Sequence, residues 1–172
     1  MNFILKFKHW QVFLILLISS LLSNTTLYDE PGLSLVINGL GSLIYFLWYF
    51  FVGIELTLLL PPRAALPKPV FIFNAFLLLI LYATVIIYFN GHFSSNSWVG
   101  FLMGLYFLYA IIQFSSFPWK VLKTIEMGFE ASFSQYFKYT ILMIFWPIGI
   151  WWVQPRINAI AIRNDEIDQE VA

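Results

Sequence analysis

The stretches from Val70 to Phe89 and from Trp98 to Phe117 each run without one charged side chain, and no other feature constrains the fold as strongly. The hydrocarbon core of a bilayer is about 30 Å thick and takes about 20 apolar residues per crossing helix. Both stretches meet that length. Burying two such runs away from lipid would require a large soluble shell around them. The chain has no material for one: only 10% of its 172 residues are charged and 60% are hydrophobic, whereas a soluble domain is about one-quarter charged. A soluble enzyme and a disordered tail are therefore poor fits. Nine Lys and Arg against nine Asp and Glu leave no basic excess to meet phosphates, which argues against nucleic acid as a partner. The absence of cysteine excludes disulfides, thiolate metal sites and cysteine nucleophiles.

Five stretches approach a span: 10–27, 33–60, 70–89, 98–117 and 137–153. The first is dense only from Trp10 to Leu22, and the second is overlong and holds Glu55. The fifth is interrupted by Trp146-Pro147-Ile148-Gly149. The runs are continuous rather than alternating and too long for barrel strands. Within hydrocarbon, helices satisfy their own backbone groups. The expected fold is all-α: a polytopic membrane helical bundle of about five transmembrane helices, forming a single domain over 1–172. Turns fall at Asp29-Glu30-Pro31-Gly32, at the proline-rich connector from Pro61 to Pro69, and at the polar stretch from Asn90 to Ser97, where helices cannot readily continue.

Lys and Arg placement sets the orientation. Lys6, Lys8, Arg63, Lys68, Lys120, Lys123 and Lys138 all fall on one side of such a bundle, so the N-terminus is expected in the cytoplasm. If the fifth segment crosses, Arg156 and Arg163 lie outside; if it dips in and returns, all nine cations stay inside. Crossing is the expectation, and four spans with a re-entrant fifth segment are the alternative. Leu21-Leu22-Ser23 lacks the small residues of a cleavage site, which argues against a removed signal peptide. Between Lys120 and Tyr136, the apolar residues Leu122, Ile125, Phe129, Phe133 and Tyr136 recur every three or four positions. That period predicts an amphipathic interfacial helix over 120–136, or an extension of the fifth segment. A polar, acidic tail follows over 157–172.

Glu55 is the ionisable group inside an otherwise apolar run. A charge at mid-bilayer costs about 2.5–3.5 kcal/mol on insertion scales. Glu55 precedes Pro61 by six residues, which places it about 9 Å from the cytoplasmic end at 1.5 Å per residue. Ser34, Asn38, Gly41, Tyr45, Trp48, Val52 and Glu55 follow alternating spacings of four and three and so share one helix face, expected to turn toward partner helices. Asn74 and Gln113 fall at a depth like that of Glu55, and the three are expected to meet in one layer. The candidate polar intramembrane site is therefore Asn38, Tyr45, Glu55, Asn74 and Gln113. The plainer reading is an interhelical hydrogen-bond seam; the sharper one is a proton or ion path.

Gly100 and Gly104 form a GxxxG pair suited to close helix packing, within the chain or between copies. His9 and His92 have no acid or histidine at metal-ligand spacing and read as interfacial side chains. No nucleophile motif, phosphate loop or zinc motif occurs, and no cofactor is expected. Pro147 and Gly149 form a candidate hinge; the simpler reading is a kinked terminal helix with a tryptophan collar.

Lys8-His9-Trp10-Gln11, Lys123-Thr124-Ile125-Glu126, Ser132-Phe133-Ser134 and the run from Trp146 to Asn158 (Trp-Pro-Ile-Gly-Ile-Trp-Trp-Val-Gln-Pro-Arg-Ile-Asn) resemble an uncharacterised group of small multi-pass bacterial inner-membrane proteins. The resemblance covers the two ends of the chain. It implies a bacterial cytoplasmic membrane and carries over no activity or site.

The function expected from these features is that of a non-catalytic accessory or scaffold subunit, with the lipid bilayer and either further copies or other membrane subunits as partners. A small transporter or channel using the second-helix face and Glu55 is the alternative. An intramembrane enzyme lacks a recognisable acid–base pair.

Overall fold

The computed structural model describes residues 4–62, 64, 66–89 and 98–171, and among them there are helices and no strands. A 3-10 turn at Ile4–Lys6 precedes α1 (His9–Ser23), α2 (Pro31–Thr57), α3 (Lys68–Phe89), α4 (Trp98–Met127), α5 (Phe133–Ile144) and α6 (Trp146–Val171). Among the described residues, three helices are long and apolar enough to cross a membrane: α2, the Lys68–Val85 part of α3 and the Gly100–Met127 part of α4. The five expected stretches thus do not all become long apolar helices. α1, at 15 residues, is apolar but shorter.

α1 ends before the expected Leu27 because its polar C-terminal residues turn back on it. The Asn24 amide donates to the Ser20 carbonyl at 2.8 Å, and the Thr25 hydroxyl to the Leu21 carbonyl at 2.9 Å. Ser34 then fastens the turn, donating to the Thr25 carbonyl and accepting from the Leu27 N–H. α2 starts on Pro31, whose missing N–H costs nothing in a first helical turn. α1 packs along α2 through Gly41, where a Cβ would lie 2.5 Å from the Ser23 nitrogen. The Ser19 hydroxyl donates to the Gly41 carbonyl at 2.7 Å.

Where α2, α3 and α4 meet, rings fill the space. Phe71 stacks on Phe117 at 4.3 Å and on Phe114 at 5.5 Å, with Phe50 at 5.9 Å. The Phe71 ring also occupies the place that a side chain at residue 53 would need, so Gly53 admits it. The other half of α4 is bare: every residue from Phe101 to Tyr109 is exposed. A helix apolar on all sides is stable in hydrocarbon, not in water.

The expected interfacial helix over 120–136 is not one helix. α4 continues through Pro118 to Met127, held by the buried Phe117, Trp119, Val121, Leu122 and Ile125. It stops at Gly128, whose φ of 77° is a left-handed conformation that glycine adopts freely. The Thr124 hydroxyl accepts from the Ala131 N–H at 3.1 Å and closes the turn. α5 begins after Ser132, where the Gln135 carbonyl oxygen accepts from the Ser132 N–H at 2.7 Å. Phe129 of the period-matched stretch therefore lies in the turn, and Phe133 and Tyr136 belong to α5.

Segment 137–153 is not one helix either. It breaks at Phe145 (φ −94°, ψ 55°) between α5 and α6. The Tyr139 hydroxyl accepts from the Arg156 guanidinium at 2.7 Å. A straight helix would set these residues about 25 Å apart at 1.5 Å per residue, beyond the reach of both side chains. α5 and α6 therefore form a helical hairpin that turns at Phe145. The residues expected as a polar tail continue α6 as helix to Val171.

Candidate functional site

The face of α2 that carries its polar side chains turns inward, with Ser34, Gly41, Trp48 and Val52 buried. Its polar groups serve separate purposes. The Tyr45 hydroxyl donates to the Tyr49 hydroxyl at 3.3 Å, which donates to the Met143 carbonyl at 3.2 Å. That carbonyl would bond the N–H of residue 147 in a continuous helix, but residue 147 is proline and has none. Tyr49 supplies the missing donor. The Asn38 side-chain oxygen is buried with no partner among the described residues, as is the Thr140 hydroxyl.

Among the described residues, Glu55 makes no hydrogen bond to Asn74 or Gln113. Its carboxylate accepts from the Leu5 N–H at 3.3 Å, at the start of the 3-10 turn, where free backbone N–H groups favour a negative charge. The same N-terminal segment is gripped from the other side by α6. The Gln154 amide donates to the Phe7 carbonyl at 2.9 Å, and the Asn158 amide donates to the Leu5 and Phe7 carbonyls at 2.8 and 3.0 Å. Three helix residues distant from it in sequence, Glu55, Gln154 and Asn158, thus satisfy the backbone of a short segment that has few bonds of its own. Gln154 and Asn158 were not among the expected site residues. Their signal was a four-residue spacing, which puts both amides on one face of a helix.

Asn74 and Gln113 do meet. The Asn74 amide donates to the Gln113 carbonyl oxygen at 3.1 Å, and the Tyr106 hydroxyl donates to the Asn74 oxygen at 2.8 Å. Asn74 is only 1% exposed. Its two polar atoms are therefore satisfied by α4, as a buried amide in an apolar surrounding requires. The α2–α3–α4 contact is otherwise filled by the rings of Phe50, Phe71, Phe114 and Phe117.

The two candidate hinge residues sit where α6 begins. Pro147 is the second residue of α6, in the first turn, where an N–H is not needed. Gly149 adds no slack: a Cβ there would lie 2.1 Å from the Leu142 carbonyl oxygen. Without a side chain there, α6 can lie close against the backbone of α5. Trp151 packs against the His9 ring at 4.5 Å and Trp146 against Phe13 at 5.8 Å, so this end of α6 lies along α1. His92 and the rest of the polar turn 90–97, like Arg63, lie outside the described residues. Gly104 has open space around it.

A third cluster was not foreseen. Around the Tyr139 ring, itself 3% exposed, stand the Lys138 ammonium at 5.1 Å, the Arg156 guanidinium at 5.3 Å and the Lys123 ammonium at 5.8 Å. Glu126 pairs with Lys123 at 2.7 Å and with Arg156 at 3.3 Å. Among the described residues, no three His, Cys, Asp or Glu side chains converge in a way that would hold a metal ion.

No family model, no curated protein and no solved structure matches this chain.

Proposed function

We propose that the chain is a small integral membrane protein with a non-catalytic accessory or scaffold role, housed in a bacterial cytoplasmic membrane with its N-terminus in the cytoplasm. α1 to α4 cross the bilayer, and the α5–α6 hairpin enters and leaves on the cytoplasmic side. Charge placement supports this topology. With a hairpin in place of a fifth crossing, Lys6, Lys8, Lys68, Lys120, Lys123, Lys138, Arg156 and Arg163 all share one face, as the positive-inside bias favours.

The observation that carries the scaffold reading is how the intramembrane polar groups are engaged. Glu55 bonds the Leu5 backbone, and Asn74, Gln113 and Tyr106 bond one another. A permeation path needs polar groups that face an ion or water, and these face the protein. The bare half of α4, with Gly104 open on its surface, is the face offered to lipid, a second copy or another membrane subunit.

Purified protein in liposomes, wild type beside Glu55→Gln, tests the reading through proton and ion flux. Both proteins are expected to leave the vesicles tight. Flux through the wild type that is lost in Glu55→Gln overturns the scaffold role in favour of a transporter or channel.

A further inference from the structure

Three cations surround the single ring of Tyr139, and only one carboxylate, Glu126, is paired with them. The node therefore keeps an excess of two positive charges. Lys138 is exposed, with no carboxylate within ion-pairing distance among the described residues. The nearby Lys120 is neutralised by Glu130 at 2.6 Å and adds nothing to the excess. The acidic residues of α6 begin at Asp165, more than two helical turns beyond Arg156 at 3.6 residues per turn. Like charges gathered within about 6 Å of one point repel, and an anion seated among them removes that repulsion.

The surroundings say which anion. At the same end, Phe129, Phe133 and Phe137 are 57%, 60% and 44% exposed, on the turn and first helical turns that carry Lys138. Exposed rings beside cations suit the boundary between acyl chains and headgroups, where the rings enter the apolar layer and the charges stay at headgroup level. An open groove of about 280 Å³ continues from Arg156 along α6, lined by Glu126, Ala159, Ile160 and Arg163.

We infer that Lys123, Lys138 and Arg156, gathered on Tyr139, form a binding site for the phosphate headgroup of an anionic phospholipid. The tyrosine holds the site together: its face attracts the cations and its hydroxyl fixes the Arg156 guanidinium, leaving Lys138 free to close on the phosphate. The inference rests on the membrane placement of this end of the protein.

The test titrates full-length protein in neutral detergent with labelled phosphatidylglycerol, phosphatidylcholine or inorganic phosphate. Saturable binding of phosphatidylglycerol is expected, with phosphatidylcholine weaker and inorganic phosphate unable to displace the lipid at equal concentration. Lys138→Gln is expected to weaken phosphatidylglycerol about five-fold, from about 1 kcal/mol per basic residue near an anionic surface, and Lys138→Arg to restore it. High salt is expected to weaken binding to the wild type. Equal binding of the two lipids, displacement by inorganic phosphate, an unaffected Lys138→Gln, or salt-insensitive binding each overturns the inference. Flotation with phosphatidylcholine vesicles reads membrane placement by itself, so lost headgroup preference with flotation intact overturns only the headgroup site.

Discussion

Arg156 donates to the Tyr139 hydroxyl across 17 residues of sequence, and the same guanidinium reaches Glu126 at the end of α4. These two bonds bring α6 back to the level at which α5 starts. Reporters fused to the two termini are therefore expected to emerge on the same side of the membrane. A thiol-labelling or enzyme-reporter assay that finds them on opposite sides contradicts the hairpin. Tyr139→Phe is expected to cost about 1 kcal/mol of stability, the worth of one hydrogen bond, read from thermal unfolding in detergent.

Gly149→Ala is expected to be far more damaging. The added methyl would overlap the Leu142 backbone, which cannot move aside as a side chain can. A loss of about 3 kcal/mol or more is expected, at the upper end of overpacking effects. Gly104→Ala, in open space, serves as the comparison and should leave the unfolding midpoint within experimental scatter.

Replacing Asn74 or Gln113 by an apolar residue leaves the other amide short of a partner, buried at Asn74 and half-buried at Gln113. Asn74→Leu and Gln113→Leu are each expected to destabilise the protein by about 1–2 kcal/mol. The double variant should lose less than the sum, by roughly 0.6 kcal/mol, a typical interhelical hydrogen-bond coupling in membranes. Strict additivity in the double-mutant cycle would mean that the two side chains do not touch.

Glu55→Ala removes the acceptor that holds the Leu5 N–H. Faster hydrogen exchange and easier proteolysis at Ile4–Lys6 are expected, with α2 to α4 unchanged. Glu55→Gln keeps an acceptor oxygen and should protect this segment nearly as well. Equal protection in Glu55→Ala and wild type would show that the contact contributes nothing to order at the N-terminus.

The long helices were legible because their apolar runs are a solvent property of the sequence itself. α2, α3 and α4 start at Pro31, Lys68 and Trp98, where turn residues or apolar onset mark them. The pairing of Asn74 with Gln113 was legible too, since two amides at matching depth have few other partners in an apolar bundle. What escaped were boundaries decided by packing. The fourth stretch was expected to end at Phe117, yet buried neighbours carry the helix across Pro118 to Met127. The α5–α6 turn depends on Tyr49 relieving a carbonyl that Pro147 leaves bare, a partner 94 residues away. The bond from the Leu5 N–H to Glu55 was not legible, because depth along a helix says nothing about an N-terminal segment folding over the bundle end.

The grip of Gln154 and Asn158 on the Leu5 and Phe7 carbonyls joins positions separated by 147 to 153 residues. During synthesis the N-terminal segment emerges early and waits for its clasp until the last helix has been made. Contacts of such separation form late, since the loop between them must close first. The order of assembly follows: a chain stopped before residue 154 would retain its long apolar helices but lack the three amide hydrogen bonds that fasten Leu5 and Phe7.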